Sequence, residues 1–283
     1  MVNVSIFNVI TAQSDICEVD VETGQVRVVI HEENKPYLDY QMRSVSFLKD
    51  GKEILFRSER NGWGHYYLYD TATGNLKNQV TDGTWVAGPI AKIDTVGRKF
   101  YFYGYGREKG IDPYYYILYE AQLDRPNAVR LLTPENASHD VSISPSYRYM
   151  VDSYSTVSQE PVNVVRNRNG KVIMTLEKPD LQPVYEMGWK APERFKVKAA
   201  DGVTDLYGVM WKPADFDSTK VYPIISNVYP GPFFEYVPTR FTINDVYNTR
   251  LAQLGFIVIT VGHRGGTPMR GKAYHTYGYN NMR

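Results

Sequence analysis

The chain has 283 residues, with 32 basic and 31 acidic side chains and a net charge of +1. That balance excludes a strongly basic nucleic-acid binder and gives no reason to expect an anionic membrane surface as partner. Hydrophobic residues at 43% and aromatic residues at 14% describe a chain that folds around a sizeable core, and the single cysteine, Cys17, excludes an internal disulfide framework and Cys-rich zinc sites.

The first ~180 residues carry an internal repeat. Asp20-Val-Glu-Thr-Gly24 recurs as Asp70-Thr-Ala-Thr-Gly74, with weaker echoes at Leu123 to Asn127 and Arg166 to Gly170. Strand-like runs flank the two clear copies: Ile16 to Val19 and Gln25 to Ile30, then Tyr66 to Tyr69 and Asn75 to Val80. Within each unit another hairpin comes first. Ser44 to Phe47 and Glu53 to Arg57 bracket Lys49-Asp50-Gly51. Pro89 to Ile93 and Lys99 to Tyr103 bracket Gly97. Val141 to Ser144 and Tyr149 to Tyr154 bracket Pro145-Ser146. Asp-Gly between extended runs signals a hairpin. Four strands every ~45–50 residues is the period of a propeller blade. The count is three such units plus a partial one at the N-terminus, fewer than the four blades that close a propeller.

The pattern changes near Lys178 to Pro183. Glu193 to Ala199 and Thr204 to Trp211 predict a hairpin around Asp201-Gly202, and Val221 to Tyr229 a mostly apolar strand. Asn244-Asp245 can cap a helix whose Tyr247, Leu251 and Leu254 share one face, with Gly255 as its stop. Phe256 to Val261 reads as a strand buried on both faces. Strand, helix and strand make a βαβ unit, so an α/β domain begins here, with nearly all helix expected after Pro213. No run approaches 18 apolar residues, and Met1 to Ser5 lacks the regions of a signal peptide.

Few residues carry chemistry. Gly266 to Ala273 approaches a phosphate-binding loop, but Ala273 replaces the magnesium-binding hydroxyl and Pro268 removes an amide. His31, His65, His139, His263 and His275 include no pair at helical metal-ligand spacing. His263, after a strand, reads as a solvent-facing or packing side chain. The most informative segment is Asn227-Val228-Tyr229-Pro230-Gly231-Pro232, at the carboxyl end of a strand. A phenol held there by a stiff backbone can donate to an oxyanion in acyl transfer. The same segment also reads as a rigid loop with a packed tyrosine.

The Tyr-x-Gly-Pro segment, the helix, the apolar strand and Arg264-Gly265 to Arg270-Gly271 together resemble the start of the hydrolase domain in the prolyl oligopeptidase family. The nearest branch is that of dipeptidyl peptidase IV and the related bacterial dipeptidyl or tripeptidyl aminopeptidases. Upstream, Arg57 to Tyr69 resembles a blade of their propeller, and Thr81-Asp82-Gly83-Thr84-Trp85 the segment after it. The resemblance runs from about Ser44 to Tyr279 and departs at three points. The acidic residue of the family two positions before the Arg-Gly pair is Gly262 here. The paired glutamates that hold a substrate's amino terminus have no match. The nucleophile motif Gly-x-Ser-x-Gly is absent, since Ser226 is the last serine.

The resemblance implies a mainly β fold. A partial β-propeller over 1–182 is followed by the first strands of an α/β-hydrolase (peptidase) domain over 183–283. It implies a piece of a serine exopeptidase that removes short N-terminal peptides, often after proline, with Tyr229 as oxyanion donor. The nucleophile, Asp and His lie outside these residues, so the chain alone is expected to be inactive. No cofactor and no metal are expected. The expected partners are peptide substrates, not nucleic acid, with homo-oligomerisation of the parent. The resemblance also suggests an exported, periplasmic or cell-envelope setting. A non-catalytic propeller that binds other molecules is the alternative.

Overall fold

A computed structural model describes residues 2–8 as backbone, and 12–229, 231, 234–243, 245 and 247–280 with side chains. The chain divides into two compact units. One comprises Met1–Pro113, Ile117–Pro134 and Pro268–Arg283; the other comprises Tyr114–Tyr116 and Glu135–Thr267.

The first unit holds three antiparallel meanders. Strands β1 (Val2–Asn8), β2 (Gln13–Val19) and β3 (Val26–Glu33) form a three-stranded sheet. Strands β4 (Val45–Leu48), β5 (Glu53–Ser58), β6 (His65–Asp70) and β7 (Leu76–Gln79) form a four-stranded one. So do β8 (Val86–Asp94), β9 (Lys99–Tyr105), β10 (Ile117–Gln122) and β11 (Val129–Leu131). In each, spatial order follows chain order, as the hairpin repeat predicts.

The repeated turns explain this regularity. In the first, the Asp20 carboxylate accepts the amides of Glu22 and Thr23 at 2.9 and 3.0 Å, and Gly24 takes φ +73°. In the second, Asp70 accepts the amide and hydroxyl of Thr73 at 2.9 and 2.8 Å, and Gly74 again has φ +73°. A Cβ on Gly74 would also meet the Val29 carbonyl oxygen at 2.8 Å, so glycine serves both conformation and close packing there. Strand β8 slips register around Pro89, which has no N–H for the ladder.

Between the first two sheets, Ile16, Val29 and Ile30 pack against Ile54, Phe56, Tyr67 and Tyr69. Between the second and third, Tyr66 meets Phe100 edge-on at 4.9 Å, and Phe102 stacks with Trp85 and Tyr119. Glu53, buried on β5, accepts from Lys49, Lys77 and Arg98.

The second unit contains two sheets. Strands β12 (Ser138–Ile143), β13 (Tyr149–Ser155), β14 (Val162–Asn167) and β15 (Val172–Thr175) form a further meander. It is held from inside by Arg166, which donates to Asp152 at 2.7 Å, Glu135 at 2.8 Å and the Gly170 carbonyl at 2.9 Å, while His139 lies 3.0 Å from Asp152. A short helix α1 (Gln182–Glu186) follows, a single helical turn ahead of Pro213. Pro183 in its first turn supplies the preset φ that starts it.

The last sheet is mixed. Strands β16 (Glu193–Lys198) and β17 (Asp205–Trp211) pair as the expected hairpin. Strand β17 is antiparallel to β19 (Ile257–Val261), and β18 (Ile224–Ser226) is parallel to β19, giving the order β16-β17-β19-β18. Helix α2 (Asn248–Gln253) makes the β18–α2–β19 crossover. Strand β18 is shorter than its apolar run because Pro223 has no N–H; its carbonyl still accepts from Ile257 at 3.0 Å. The buried face of α2 differs from the one expected. Tyr247 and Leu254 are exposed, while Ala252 packs with Val209, Trp211, Val258 and Val157. Asn248 is buried because its amide side chain is fully engaged. Strand β19 alternates, with Val258 and Thr260 buried and the residues between them half-covered, rather than buried throughout.

Candidate functional site

The site is built at the carboxyl end of β18 and β19. Asn227 continues the ladder by donating its amide to the Ile259 carbonyl at 2.8 Å. Its side chain donates to Asn248 Oδ1 at 2.7 Å, and Asn248 in turn donates to Asp245, whose carboxylate also accepts the Asn248 amide at 3.1 Å. The strand end is thereby tied to the helix start. The N-cap position is Tyr247, without a side-chain cap bond, and Asp245 serves the helix start from two residues earlier; Asn244 lies outside the described residues.

Tyr229 follows two residues later and is 56% exposed. Its ring lies edge-on to Phe234, centroids 4.9 Å apart. A Cβ on Gly231 would come within 2.8 Å of the Tyr229 ring, so residue 231 must be small for the phenol to lie where it does. Pro230 and Pro232 lie outside the described residues. Among the described residues the Tyr229 hydroxyl has no protein partner, which leaves it available to a ligand.

The loop after β19 faces the same end of the sheet. Gly262 donates its amide to the Tyr207 carbonyl at 2.8 Å, and Gly266 closes a turn on the His263 carbonyl at 3.1 Å. Gly265, at φ +95°, sits where such a turn needs a left-handed residue. Arg264 donates to Asp201 at 2.8 Å. Asp201 also accepts the Thr204 hydroxyl and the amides of Thr204 and Val203. Led by the Thr204 hydroxyl, these donors hold its carboxyl down at about 2.

The missing acidic side chain at 262 has a structural counterpart. Glu235 lays its carboxylate on Gly262 and Gly266: a Cβ on Gly262 would fall on its Oε1, and one on Gly266 would meet its Oε2 at 2.8 Å. Thr260 donates to the Tyr236 carbonyl at 2.7 Å, which seats this segment beside β19.

The near-match to a phosphate loop serves another purpose. Pro268–Arg270 is a 3-10 turn, and α3 (Lys272–His275) is a single turn of helix. The Lys272 ammonium donates to Asn34 rather than standing open to a phosphate, and burial draws its pKa down. The Lys272 amide donates to the Gly62 carbonyl at 3.0 Å, and a Cβ on Gly271 would meet Trp63 at 2.9 Å. His275 Nε2 lies 2.9 Å from the Glu59 carboxylate. Nearby, Glu32 accepts from the Ser58 hydroxyl, and burial raises its pKa. Glu32, Asn34, Asp39, Arg57 and Glu59 are among the residues lining a cavity of ~10 Å³, about the space of one water. Two of the other histidines are buried and held in place: His65 by Thr81 and the Gly83 carbonyl, and His139 by Asp152, while His31 lies exposed beside Asp15. Among the described residues no group of three or more His, Cys, Asp or Glu side chains could hold a metal ion. No helix among them is long and apolar enough to cross a membrane.

Sequence reasoning reached Tyr229 but missed Glu235, the Arg264–Asp201 pair and the Glu59–His275 pair. The available signal was glycine at both 262 and 266, which marks space that something else fills.

The sheets define a protein of propeller blades joined to a mixed sheet of the α/β-hydrolase kind. Residues 2–161 match the model of the dipeptidyl peptidase IV (DPP IV) N-terminal region, and the chain belongs to that family. It is 26% identical over 255 residues to Dipeptidyl peptidase 8 of Homo sapiens, covering 75% of this chain and 27% of that one. It is 33% identical over 153 residues to the probable dipeptidyl-aminopeptidase B of Aspergillus oryzae, covering 52% of this chain and 17% of that one. A Bacteroides ovatus structure assigned as a dipeptidyl aminopeptidase IV superposes with a TM-score of 0.79 at 25% identity, covering 98% of this chain and 41% of that one. The fold is also that of Porphyromonas gingivalis dipeptidyl peptidase 4, with a TM-score of 0.79 at 23% identity, 98% coverage of this chain and 38% of that one. The chain thus spans about a quarter of the length of the dipeptidyl peptidase 8 it matches.

Proposed function

We propose that these residues form part of a serine-type exopeptidase that releases short peptides, dipeptides foremost, from N-termini. Residues 1–182 supply propeller blades and 183–283 open the hydrolase domain. The observation that carries the reading is Tyr229. Its ring is braced by Phe234 and Gly231 at the end of a parallel strand, and it is more than half exposed, with no protein hydrogen-bond partner for its hydroxyl among the described residues.

In this reading the enzyme's serine nucleophile attacks the scissile carbonyl, and the Tyr229 hydroxyl donates one hydrogen bond to the oxyanion that forms. The bond strengthens as charge develops on the carbonyl oxygen, so it favours the transition state over the bound substrate.

The test is Tyr229→Phe in the natural protein, assayed on a dipeptidyl-proline chromogenic substrate. The change keeps the ring and its packing. We expect kcat to fall by about 10²–10³, with KM little changed. Nearly full turnover in the variant would remove Tyr229 from the chemistry.

A further inference from the structure

We infer that Glu235 is a positioning residue for Tyr229, acting by filling a space that Gly262 and Gly266 leave open. Three observations carry this.

The first is the fit. Both glycines face the carboxylate so closely that neither position accepts a Cβ while Glu235 is seated. Neither glycine has a positive φ to require it; at Gly262 the demand comes chiefly from Glu235, and at Gly266 the His263 carbonyl oxygen, 2.9 Å from a Cβ, adds to it. The second is connectivity. Glu235 directly follows Phe234, whose ring braces Tyr229 at 4.9 Å, and directly precedes Tyr236, whose carbonyl is held by Thr260. A side chain that anchors residue 235 therefore fixes where Phe234 presents its ring. The third is the turn beneath. Gly262 and Gly266 flank the His263–Gly266 turn, whose Arg264 is held by Asp201. The anchor thus rests on a fixed base.

The relevance of this arrangement to turnover rests on the oxyanion role proposed for Tyr229, but the arrangement can be tested without turnover. The 283-residue chain is produced with fluorotyrosine. The Tyr229 line among the 24 tyrosines is the one lost in Tyr229→Phe. We expect Glu235→Ala to shift and broaden that line, and Glu235→Gln, which keeps the volume, to leave it in place. Gly262→Ala should displace Glu235 and shift the line as Glu235→Ala does. Its melting temperature should also drop, and most of that drop should vanish when Glu235→Ala is present as well. An unmoved Tyr229 line in Glu235→Ala overturns the inference. So does a Gly262→Ala cost that is the same in both backgrounds. Neither outcome depends on whether Tyr229 touches an oxyanion, which the turnover of Tyr229→Phe decides separately.

Discussion

Glu59 and His275 stand 216 residues apart in the chain and 2.9 Å apart in space, with side-chain exposures of 2% and 1%. Glu59 follows β5 of the second meander, and His275 ends α3. The pair closes the segment after residue 268 onto the Gly62–Trp63 turn, where the Lys272 amide and Gly271 are already seated. His275→Phe keeps an aromatic ring but leaves the Glu59 carboxylate buried without its donor. We expect a loss of roughly 1–3 kcal/mol, read by urea unfolding. Unchanged stability would show that the pair contributes nothing net.

Glu32 sets a pH dependence in the same region. Burial raises its pKa above the ordinary 4.5, against the lowering effect of the Ser58 hydroxyl. The folded state therefore holds the proton more tightly than the unfolded state. Stability falls as pH rises from about 4.5 through the raised value, and the penalty is absent below 4.5. Glu32→Gln should be more stable than the parent at pH 7, and the gain should vanish at pH 4. A gain that persists unchanged at pH 4 would contradict this origin.

Asp201 shifts in the other direction. Its carboxyl should titrate at about 2 by carbon NMR. Its contribution to stability is present above the ordinary value of 3.8 and lost as pH falls through about 2. Since the Thr204 hydroxyl is the leading cause, Thr204→Val should raise the midpoint more than Arg264→Met does. The reverse order would place the main effect on the arginine.

Arg166 is buried with Asp152 at its centre and Glu135 at its edge. Removing the guanidinium leaves Asp152 buried with His139 alone. Arg166→Ala should cost about 3–5 kcal/mol in chemical unfolding. Lys196→Ala, at the exposed pair with Asp205, should leave the unfolding midpoint nearly unchanged in the same experiment. Equal effects would mean that burial does not govern these pairs.

Strand β18 ends the mixed sheet, and Ile224, Val221 and Leu254 around it are exposed. An unpaired strand edge beside apolar side chains invites self-association. Light scattering of the 283-residue chain should show a mass rising with concentration. Ile224→Lys together with Leu254→Glu should suppress it. A monomer at high concentration in the parent would count against this surface.

The meanders were legible because their information is local. Asp20 and Asp70 each cap their own turn within three residues, and Gly24 and Gly74 supply the left-handed position that closes it. The βαβ crossover was legible for the same reason, through the apolar run at β19 and the Asp245 carboxylate that accepts the Asn248 amide at the start of α2. The face of α2 was misjudged because periodicity marks apolar residues, whereas here a buried Asn248 engaged with Asn227 sets the rotation. Tyr229 could be singled out because prolines and glycine surround it. Glu235 could not, since a glycine records that space is needed and not which distant side chain fills it. Glu59 and His275 belong to elements far apart in the chain, with no spacing to connect them.

The distance between those two residues also bears on how the chain acquires its structure. Each meander pairs only strands that are neighbours in sequence, so each can form as soon as its own ~45 residues are available, at little loop-closure cost. The Glu59–His275 contact has the opposite character. The second meander can be complete while Glu59 still lacks its donor, and it keeps that buried carboxylate until residue 275 arrives. During synthesis the N-terminal sheets therefore pass through a stage with their secondary structure formed and a polar pocket open. The turn of helix at Lys272–His275 is the one that closes it.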